Sequence, residues 1–374
     1  MTMENQQKYI DQAVESFRTL ITEQLARTEK MEQGSEVTDF RNKEQITVGI
    51  IGGDGIGPYI TKAAEDIMKI LLKDELAAGK IVLKDIEGLT IENRLAVGKS
   101  IPDDVLAEIK TCDVLLKGPT ETPKGGTMES ANVSMRRELD LYANVRPVKV
   151  PEEGIDWTFF RENTEGEYGL GSRGVEIPGK LTMDFKVITQ PGVKRIARAA
   201  FEFAKNNGKT HMCVVTKANI MKKTDGSFSE ICHEVAKDYP GIEVEDYYID
   251  IMTAKLINPK GRDRFQVFVL PNLYGDIITD EAAQIQGGVG TAGSANTGDK
   301  YAMFEAIHGS APRMVEEGRA AYANPMSIIK ASEMLLRHIG MIDKADRLIA
   351  ALEACGDGAG MTCDEIRDKI IAAL

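Results

Sequence analysis

The stretch NLYGDIITD, residues 272–280, sets Asp276 and Asp280 four residues apart among apolar neighbours. Residues at i and i+4 share one face of a helix, and a like-charged pair there costs roughly 0.2–0.5 kcal/mol. Capping and surface solvation are the plain reasons for such a pair. The chemical reason is a divalent cation. Asp250, in YYIDIMTAKL, is a third carboxylate among hydrophobic residues. Hard oxygen donors of this kind suit Mg²⁺ or Mn²⁺, with water and ligand oxygens completing the shell. A cation also offsets the cost of unpaired buried negative charge.

A second set is positive. SANVSMRRELDLYANVRP (130–147) brings Ser130, Asn132 and Arg136, with Arg146 ten residues on. FFRENTEGEYG then supplies Arg161 and Tyr168. Planar guanidinium groups bind carboxylates through two parallel hydrogen bonds, so three arginines and two small polar donors can grip a multiply charged acid. For any one arginine, surface pairing with Glu129, Glu138 or Asp140 is the better reading, and it weakens as the set accumulates. Lys217, in VVTKANIMKKTDG, follows an apolar run. Among apolar walls and other cations a lysine can serve as a base; by itself it reads as a surface residue. FEAIHGSAP (304–312), followed by Asn324 and Pro325, offers a loop whose backbone N–H groups can wrap a nucleotide. The other reading of His308 is a hydrogen-bonded structural histidine.

Elements must carry these residues. The 374 residues exceed one compact core, so two domains or one large α/β unit is expected. Lys and Arg number 46 against 58 Asp and Glu, a net charge of −12. That balance argues against nucleic acid and anionic membranes as partners but leaves room for a small anion in a basic cleft. Five scattered cysteines without a CxxC pair fit a reducing compartment and no structural zinc. No run has the roughly 20 apolar residues of a membrane span. The N-terminus reads as neither a secretory signal nor a mitochondrial presequence, so the expected location is the cytoplasm.

Residues 1–44 read as an added helix and a polar linker, EQGSEVTDFRNKEQ. Ile10, Val14, Phe17, Ile21 and Leu25 recur at helical spacing, forming a stripe expected to pack on the body or on a second subunit. From ITVGIIGG onward strands and helices alternate: a helix over 60–73, KIVLKDIEG, DDVLAEIK and CDVLLKGP. This order predicts a mostly parallel sheet covered by helices. Residues 141–190 suit antiparallel strands and turns, helix 191–207 and HMCVVTKAN resume the alternation, and FQVFVLPN delivers the paired aspartates. The tail, 325–374, reads as helical. GGDGIGP (52–58) departs from the G-x-G-x-x-G dinucleotide fingerprint and lacks its acidic partner about 20 residues on. A tight strand-to-helix turn explains these glycines.

In order, GGDGIGP, KGPTETPKGG, SANVSMRRELDLYANVRP, NLYGDIITD and EAIHGSAP…ANP resemble the β-decarboxylating dehydrogenases of isocitrate, isopropylmalate and homoisocitrate. The likeness covers about 46–340. The resemblance implies a non-Rossmann α/β fold of two domains: a large nucleotide-binding domain from 45–141 and 290–374, and a small domain, 142–289, with a dimer clasp. It implies a homodimer or larger homo-oligomer with shared sites, Lys217 and Asp250 coming from the neighbouring subunit. Asp276 and Asp280, with that Asp250, would bind Mg²⁺ or Mn²⁺. Arg136, Arg146 and Arg161, with Ser130 and Asn132, would hold the substrate. Lys217 and Tyr168 would move protons. Thr122, Asn219, Glu305, His308, Gly309, Ser310, Ala311, Arg313 and Asn324 would meet NAD⁺ or NADP⁺.

Within that family, S-x-N-x-x-x-R at 130–136 matches the isocitrate branch. The isopropylmalate branch carries an apolar residue at the place of Asn132, and a polar group facing an alkyl chain would be left unpaired. The expected reaction is therefore isocitrate to 2-oxoglutarate and CO₂. Isopropylmalate, homoisocitrate or tartrate-type oxidation, and a non-catalytic regulatory subunit, are the alternatives. Lys217, Tyr168, Asp250, Asp276 and Asp280 are all present, against the last. After HGSAP the chain has Arg313 where NAD-using relatives tend to carry Asp. An arginine can pair with the 2′-phosphate of NADP⁺. Glu316 and Glu317 would repel that phosphate, and no Tyr–Arg pair in the tail completes such a pocket, so NAD⁺ is the expected acceptor. Tyr59 also departs from the glutamate that often follows GDGIGP.

Overall fold

The computed structural model describes residues 3–374 apart from 35, 124–127, 171–172, 289 and 291, with side chains from residue 6 onward. The last three residues of KGPTETPKGG therefore lie outside the described residues.

In chain order the strands are β1 (Ile46–Ile51), β2 (Ile81–Asp85), β3 (Val114–Lys117), β4 (Ala143–Val150), β5 (Ile155–Glu162), β6 (Val175–Ile177), β7 (Leu181–Met183), β8 (His211–Thr216), β9 (Glu243–Tyr248), β10 (Val267–Leu270), β11 (Gly293–Thr297) and β12 (Ala302–Ala306). Ten form one sheet in the order β2-β1-β3-β12-β11-β4-β5-β10-β8-β9, and β6 pairs with β7 as a separate hairpin. The pairings that involve β4 with β5, β4 with β11, and β11 with β12 are antiparallel. The flanking pairs are parallel, as expected from the alternation of strands and helices.

The strands β3 and β10 read VLLK and VFVL and are buried throughout. Continuous apolar runs of this type need helices on both faces. One face of the β1–β3 half packs on the helices Gly57–Leu71, Met326–His338, Ile342–Cys355 and Cys363–Ala373, in a core that includes Ile60, Phe304, Leu335 and Leu348. The β5–β10 half packs on Gln190–Asn206 and Thr224–Ala236 on one side. On its other side it packs on Ile249–Leu256 and Asn272–Ile285, around Trp157, Phe159 and Phe268. Phe159 and Phe268 stack at 4.3 Å between ring centres.

The N-terminal helix runs Met3–Glu32. Its apolar stripe, expected to pack on the body or on a second subunit, lies largely exposed on the single chain. Ile10, Val14, Phe17, Ile21 and Leu25 are each 45–60% exposed. The docked edge lies one step round the helix, through Leu20, which is buried, and Gln24, Arg27, Thr28 and Met31, which are half-buried. The receiving surface explains this. It presents Glu165, Thr164 and Arg173, so Arg27 pairs with Glu165 and Glu23 with Arg173. Ion pairing, rather than the stripe, sets the rotation of the helix; of the stripe, Phe17 meets Phe185 at 5.4 Å.

The turn GGDGIGP is a packed junction. Gly55 has φ +59°, and a Cβ there would lie 2.0 Å from the carbonyl oxygen of Ser310. Ile56 N–H donates to that same carbonyl at 2.9 Å. Asp54 is buried beside the wholly buried Arg94, whose Nη2 donates to it at 3.0 Å. Asp54 also accepts from the N–H groups of Ile91 and Glu121, both at 2.7 Å. Removing one partner of a buried pair leaves the other charge uncompensated, typically at about 3–5 kcal/mol. Asp54→Ala is therefore expected to lower stability by about 3–5 kcal/mol, read as a lower urea midpoint at unchanged slope.

Candidate active site

At the carboxyl ends of the parallel strands, polar side chains cross the junction of the two halves in one row. Lys117 closes β3 and stands in register with Glu305 on β12. Lys117 Nζ donates to Glu305 Oε2 at 3.1 Å and to the Gly118 carbonyl at 2.8 Å. Arg136, from the helix Ala131–Glu138, donates to Glu305 Oε1 at 3.2 Å. Asn296 Nδ2 donates to the same oxygen at 2.8 Å. Asn296 Oδ1 accepts from Asn144 and Asn163, both at 2.9 Å. Asn144 lies opposite Arg161 across β4 and β5.

Arg161 continues the row onto the helix Asn272–Ile285. Its Nε and Nη2 donate to Asn272 Oδ1 at 2.9 and 2.7 Å, and its Nη1 pairs with Asp276. Tyr168 donates its hydroxyl to the other Asp276 oxygen at 2.8 Å, with Arg161 over its ring at 5.2 Å. Arg146 donates to Asp280 at 2.9 Å and to Thr279 Oγ1 at 2.6 Å, and lies 4.0 Å from Asp276. Asp276 and Asp280 thus share one helix face, half-open to solvent, beside two buried guanidiniums. Gly275 makes this approach possible, because a Cβ there would lie 2.4 Å from Arg161 Cγ.

Charge and burial set the protonation states. Burial pulls Arg161 down to about 10, and the charge of Arg136 adds to it. Burial likewise lowers Arg146. Burial would raise Asp276, but Arg161, Tyr168 and Arg146 outweigh it and hold the carboxyl below its usual range. Burial would also raise Glu305, yet Lys117 and Arg136 take it to about 2. Burial, and then the hydrogen bond and charge of Asp276, push the Tyr168 phenol above its ordinary value.

None of the three expected arginines pairs with the surface carboxylates that offered the plainer reading. Glu129 takes Arg137, Glu138 takes Lys110 and Arg137, and Asp140 takes Arg195. Nε of Arg136 and Nε of Arg146 are buried without a partner. Asn132 Oδ1 accepts from Thr120 at 3.0 Å, which leaves its amide N–H groups to donate. Ser130 starts the same helix without capping it through its side chain.

The remaining expected residues fall into two other places. His308, Gly309, Ser310 and Ala311 form the loop after β12, against the Gly55 turn. Ala311 adopts φ 42°, ψ 56°, a left-handed conformation unusual for alanine and of a kind that clusters at ligand sites. His308 Nε2 is a buried atom with no partner. Arg313 is 87% exposed, 3.9 Å from Glu317. Asn324 holds the loop to the Asp357 carbonyl and the Met326 N–H, both at 2.9 Å. Thr122 is exposed after β3. Glu305, expected to meet the nucleotide, has both carboxylate oxygens engaged by Lys117, Arg136 and Asn296, so its side chain belongs with the arginine row.

Lys217, Asn219 and Asp250 lie on the β8–β9 edge. Lys217 Nζ donates to Asp250 at 2.6 Å and has the Tyr248 ring at 5.9 Å. Strand β8 is five places from β12. At about 4.8 Å per strand, Asn219 is roughly 24 Å from the His308 loop. Among the described residues of one chain, no three His, Cys, Asp or Glu side chains converge well enough to hold an ion.

Lys117, Asn272, Gly275, Thr279 and Asn296 were missed in the sequence. Two carried a local signal: a lysine ending an otherwise apolar strand, and a glycine inside a helix, which costs about 1 kcal/mol relative to alanine.

Comparison with known proteins decides the family. Residues 47–370 match the model of the isocitrate/isopropylmalate dehydrogenase family. The chain belongs to this family, and it is a dehydrogenase with that family's α/β fold. It is 38% identical over 313 residues to a fission yeast (Schizosaccharomyces pombe) mitochondrial isocitrate dehydrogenase [NAD] subunit 2, covering 82% of this chain and 79% of that protein. It is 41% identical over 307 residues to the isocitrate dehydrogenase [NADP] of Rickettsia prowazekii, covering 80% of this chain and 60% of the relative. The chain thus spans about three fifths of that relative's length. The crystal structure of isocitrate dehydrogenase from Methylococcus capsulatus superposes with a TM-score of 0.77 at 33% identity, over 88% of this chain and 99% of that one.

One consequence of the Asp276–Tyr168 contact is measurable. Asp276→Asn removes the charge that disfavours the phenolate, so Tyr168 is expected to ionise at lower pH. The difference in absorbance at 295 nm between each protein and its Tyr168→Phe counterpart follows that ionisation.

Proposed function

We propose that the chain oxidises isocitrate to 2-oxoglutarate and CO₂, with NAD⁺ as the favoured acceptor. The observation that carries this reading is the charge of the row. Four buried cations, Lys117, Arg136, Arg146 and Arg161, face three carboxylates, Glu305, Asp276 and Asp280. Two of the guanidiniums keep a buried N–H unpaired. Such a site lacks negative charge and hydrogen-bond acceptors, and a polycarboxylate supplies both.

Arg136, Arg146 and Arg161 would clamp the substrate carboxylates, with Ser130 and the donor side of Asn132 meeting the carboxylate that isopropylmalate lacks. The substrate loses a hydroxyl proton toward Lys217 and a hydride to the nicotinamide. The β-carboxylate of the resulting ketone leaves as CO₂, and Tyr168 returns a proton to carbon. With its phenol raised, Tyr168 stays protonated at neutral pH, as an acid must. Asp276 and Asp280 are hard, half-exposed oxygen donors that fit Mg²⁺ or Mn²⁺, with Asp250 of a second copy as the third. When bound, such a cation lowers the hydroxyl pKa and stabilises developing negative oxygen.

A homodimer is part of the proposal. Lys217 and Asp250 pair with each other on the β8–β9 edge, apart from Asp276, so a second copy would have to present them. The exposed Tyr248, Ile251 and Ile277 beside these acids, and the β6–β7 hairpin with exposed Leu181 and Met183, are apolar surface suited to such a partner. We read strands β1–β3, β11 and β12 as the large domain and the intervening segment, 142–289, as the small one. NAD⁺ is favoured because Arg313, the residue that could meet a 2′-phosphate, already has the Glu317 carboxylate 3.9 Å away, and Glu316 stands next to Glu317 in the chain. Five free buried cysteines suit the cytoplasm, and among the described residues no helix is long and apolar enough to cross a membrane.

Purified protein is expected to raise absorbance at 340 nm with isocitrate and NAD⁺ in the presence of Mn²⁺, and EDTA is expected to stop it. No reduction of either NAD⁺ or NADP⁺ would defeat the assignment. Asn132→Leu is expected to cost ten- to hundredfold in kcat/KM for isocitrate, about 1–3 kcal/mol. A shared site makes a further prediction. Tyr168→Phe and Lys217→Met chains, each inactive alone, should regain about a quarter of full activity when dissociated together and reassembled, because half of the subunit pairs carry one intact site.

A further inference from the structure

The N-terminal helix precedes the part of the chain that matches the family, 47–370, yet it reaches the loop that carries Tyr168. Arg27 Nη1 donates to Glu165 Oε1 at 2.8 Å and Nη2 to Thr164 Oγ1 at 3.1 Å. The Glu165 side chain is wholly buried, and its carboxylate also accepts the Thr189 N–H at 2.8 Å and the Thr189 hydroxyl. Glu162, three residues earlier, is buried too and accepts from the N–H groups of Thr164 and Glu165. Burial and the charge of Glu165 push it up to about 7. Arg27 and Arg195 are the cations that meet this acidic pair, Arg195 through Thr164 Oγ1 at 3.0 Å.

From the same residue the path runs to the site. The Glu165 carbonyl accepts from Asn272 Nδ2 at 3.0 Å, and Asn272 Oδ1 holds two nitrogens of Arg161. Arg161 in turn lies against Asp276 and the Tyr168 ring. A second strap, Glu23 with Arg173, ties the helix to the chain just beyond the loop. Residues 162–170 are thus held from the helix on one side and from Asn272 on the other.

We propose that Arg27 is a positioning residue: by neutralising Glu165 it fixes the loop so that the Tyr168 hydroxyl faces the reacting carbon, and the N-terminal helix is thereby a working part of the active site. The proposal rests on the reading of Tyr168 as the proton donor. Without Arg27, two buried carboxylates three residues apart repel, and the loop that joins them relaxes. Small displacements of a catalytic group are costly in rate.

The test compares Arg27→Met and Arg27→Lys in the full chain with an exposed control on the same helix, Lys30→Met. Arg27→Met is expected to lower kcat on the order of ten- to hundredfold, with KM for isocitrate within about threefold of the parent. Arg27→Lys, which keeps the charge, should recover most of the loss, and Lys30→Met should match the parent. Amide hydrogen exchange should quicken in 162–170 while β8 and β10 keep their protection. Unchanged kcat in Arg27→Met overturns the proposal. So does exchange quickened throughout the fold with no recovery by lysine, which would mark Arg27 as a stabilising contact alone. If the parent protein itself fails to oxidise isocitrate, the functional reading falls separately. Exchange then decides the positioning role, and an unmoved loop overturns it.

Discussion

The structure is organised around positive charge that has been taken out of water. Arg136, Arg146, Arg161 and Lys117 are buried at the carboxyl edge of one sheet. Desolvating an ion costs several kcal/mol even after the protein relaxes, and only close partners with good geometry repay it. Each cation accordingly has a fixed carboxylate or amide beside it. Those partners come from β12 and the helix Asn272–Ile285, while the cations themselves come from β3, β4, β5 and the helix Ala131–Glu138. The fold can be read as the arrangement that brings these partners together without also filling the space a substrate would occupy.

This requirement falls on the middle of the sheet. Strand β4 runs antiparallel to both of its neighbours, which places Asn144 next to Arg161 on one side and Asn296 on the other. Asn144 and Asn163 both donate to Asn296 Oδ1, and Asn296 donates to Glu305. Their amide nitrogens are all engaged, whereas Asn144 Oδ1 and Asn163 Oδ1 are buried without a partner. Helix Asn272–Ile285 then adds Asp276, Thr279 and Asp280 on one face. The like-charge cost that its i, i+4 aspartates would carry in isolation is removed by the guanidiniums they lie against.

Much of this was legible in the chain. Period-two and continuous apolar runs marked the strands, and their alternation with helical patterns gave a mostly parallel sheet. The arginines of 136–161 and the acids of 272–280 stood out because charge inside apolar segments needs a reason. Other parts had no such mark. Asn296 and Asn144 read as ordinary polar strand residues, since the register that sets them side by side involves residues about 150 apart. The N-terminal stripe looked like a docking face by periodicity alone. The edge that meets the body of the chain is instead the one with Arg27 and Glu23, whose partners at Glu165 and Arg173 cannot be known before the chain folds. Lys217 by itself read as a surface residue, and only the fold pairs it with the carboxylate of Asp250.

By itself, the sequence determined which segments become strands and helices, and which side chains could bind an anion or a hard cation. These properties are local, carried by periodicity, turn residues and the chemistry of each group. Tertiary structure decided which charges meet. It turned three scattered arginines into one site, moved Glu305 into their company, and separated Lys217 and Asp250 from Asp276. It also tied a helix outside the family's own segment to the loop of Tyr168. The reason is that ion pairing depends on distance across the sheet, and strand order, not position in the chain, fixes that distance.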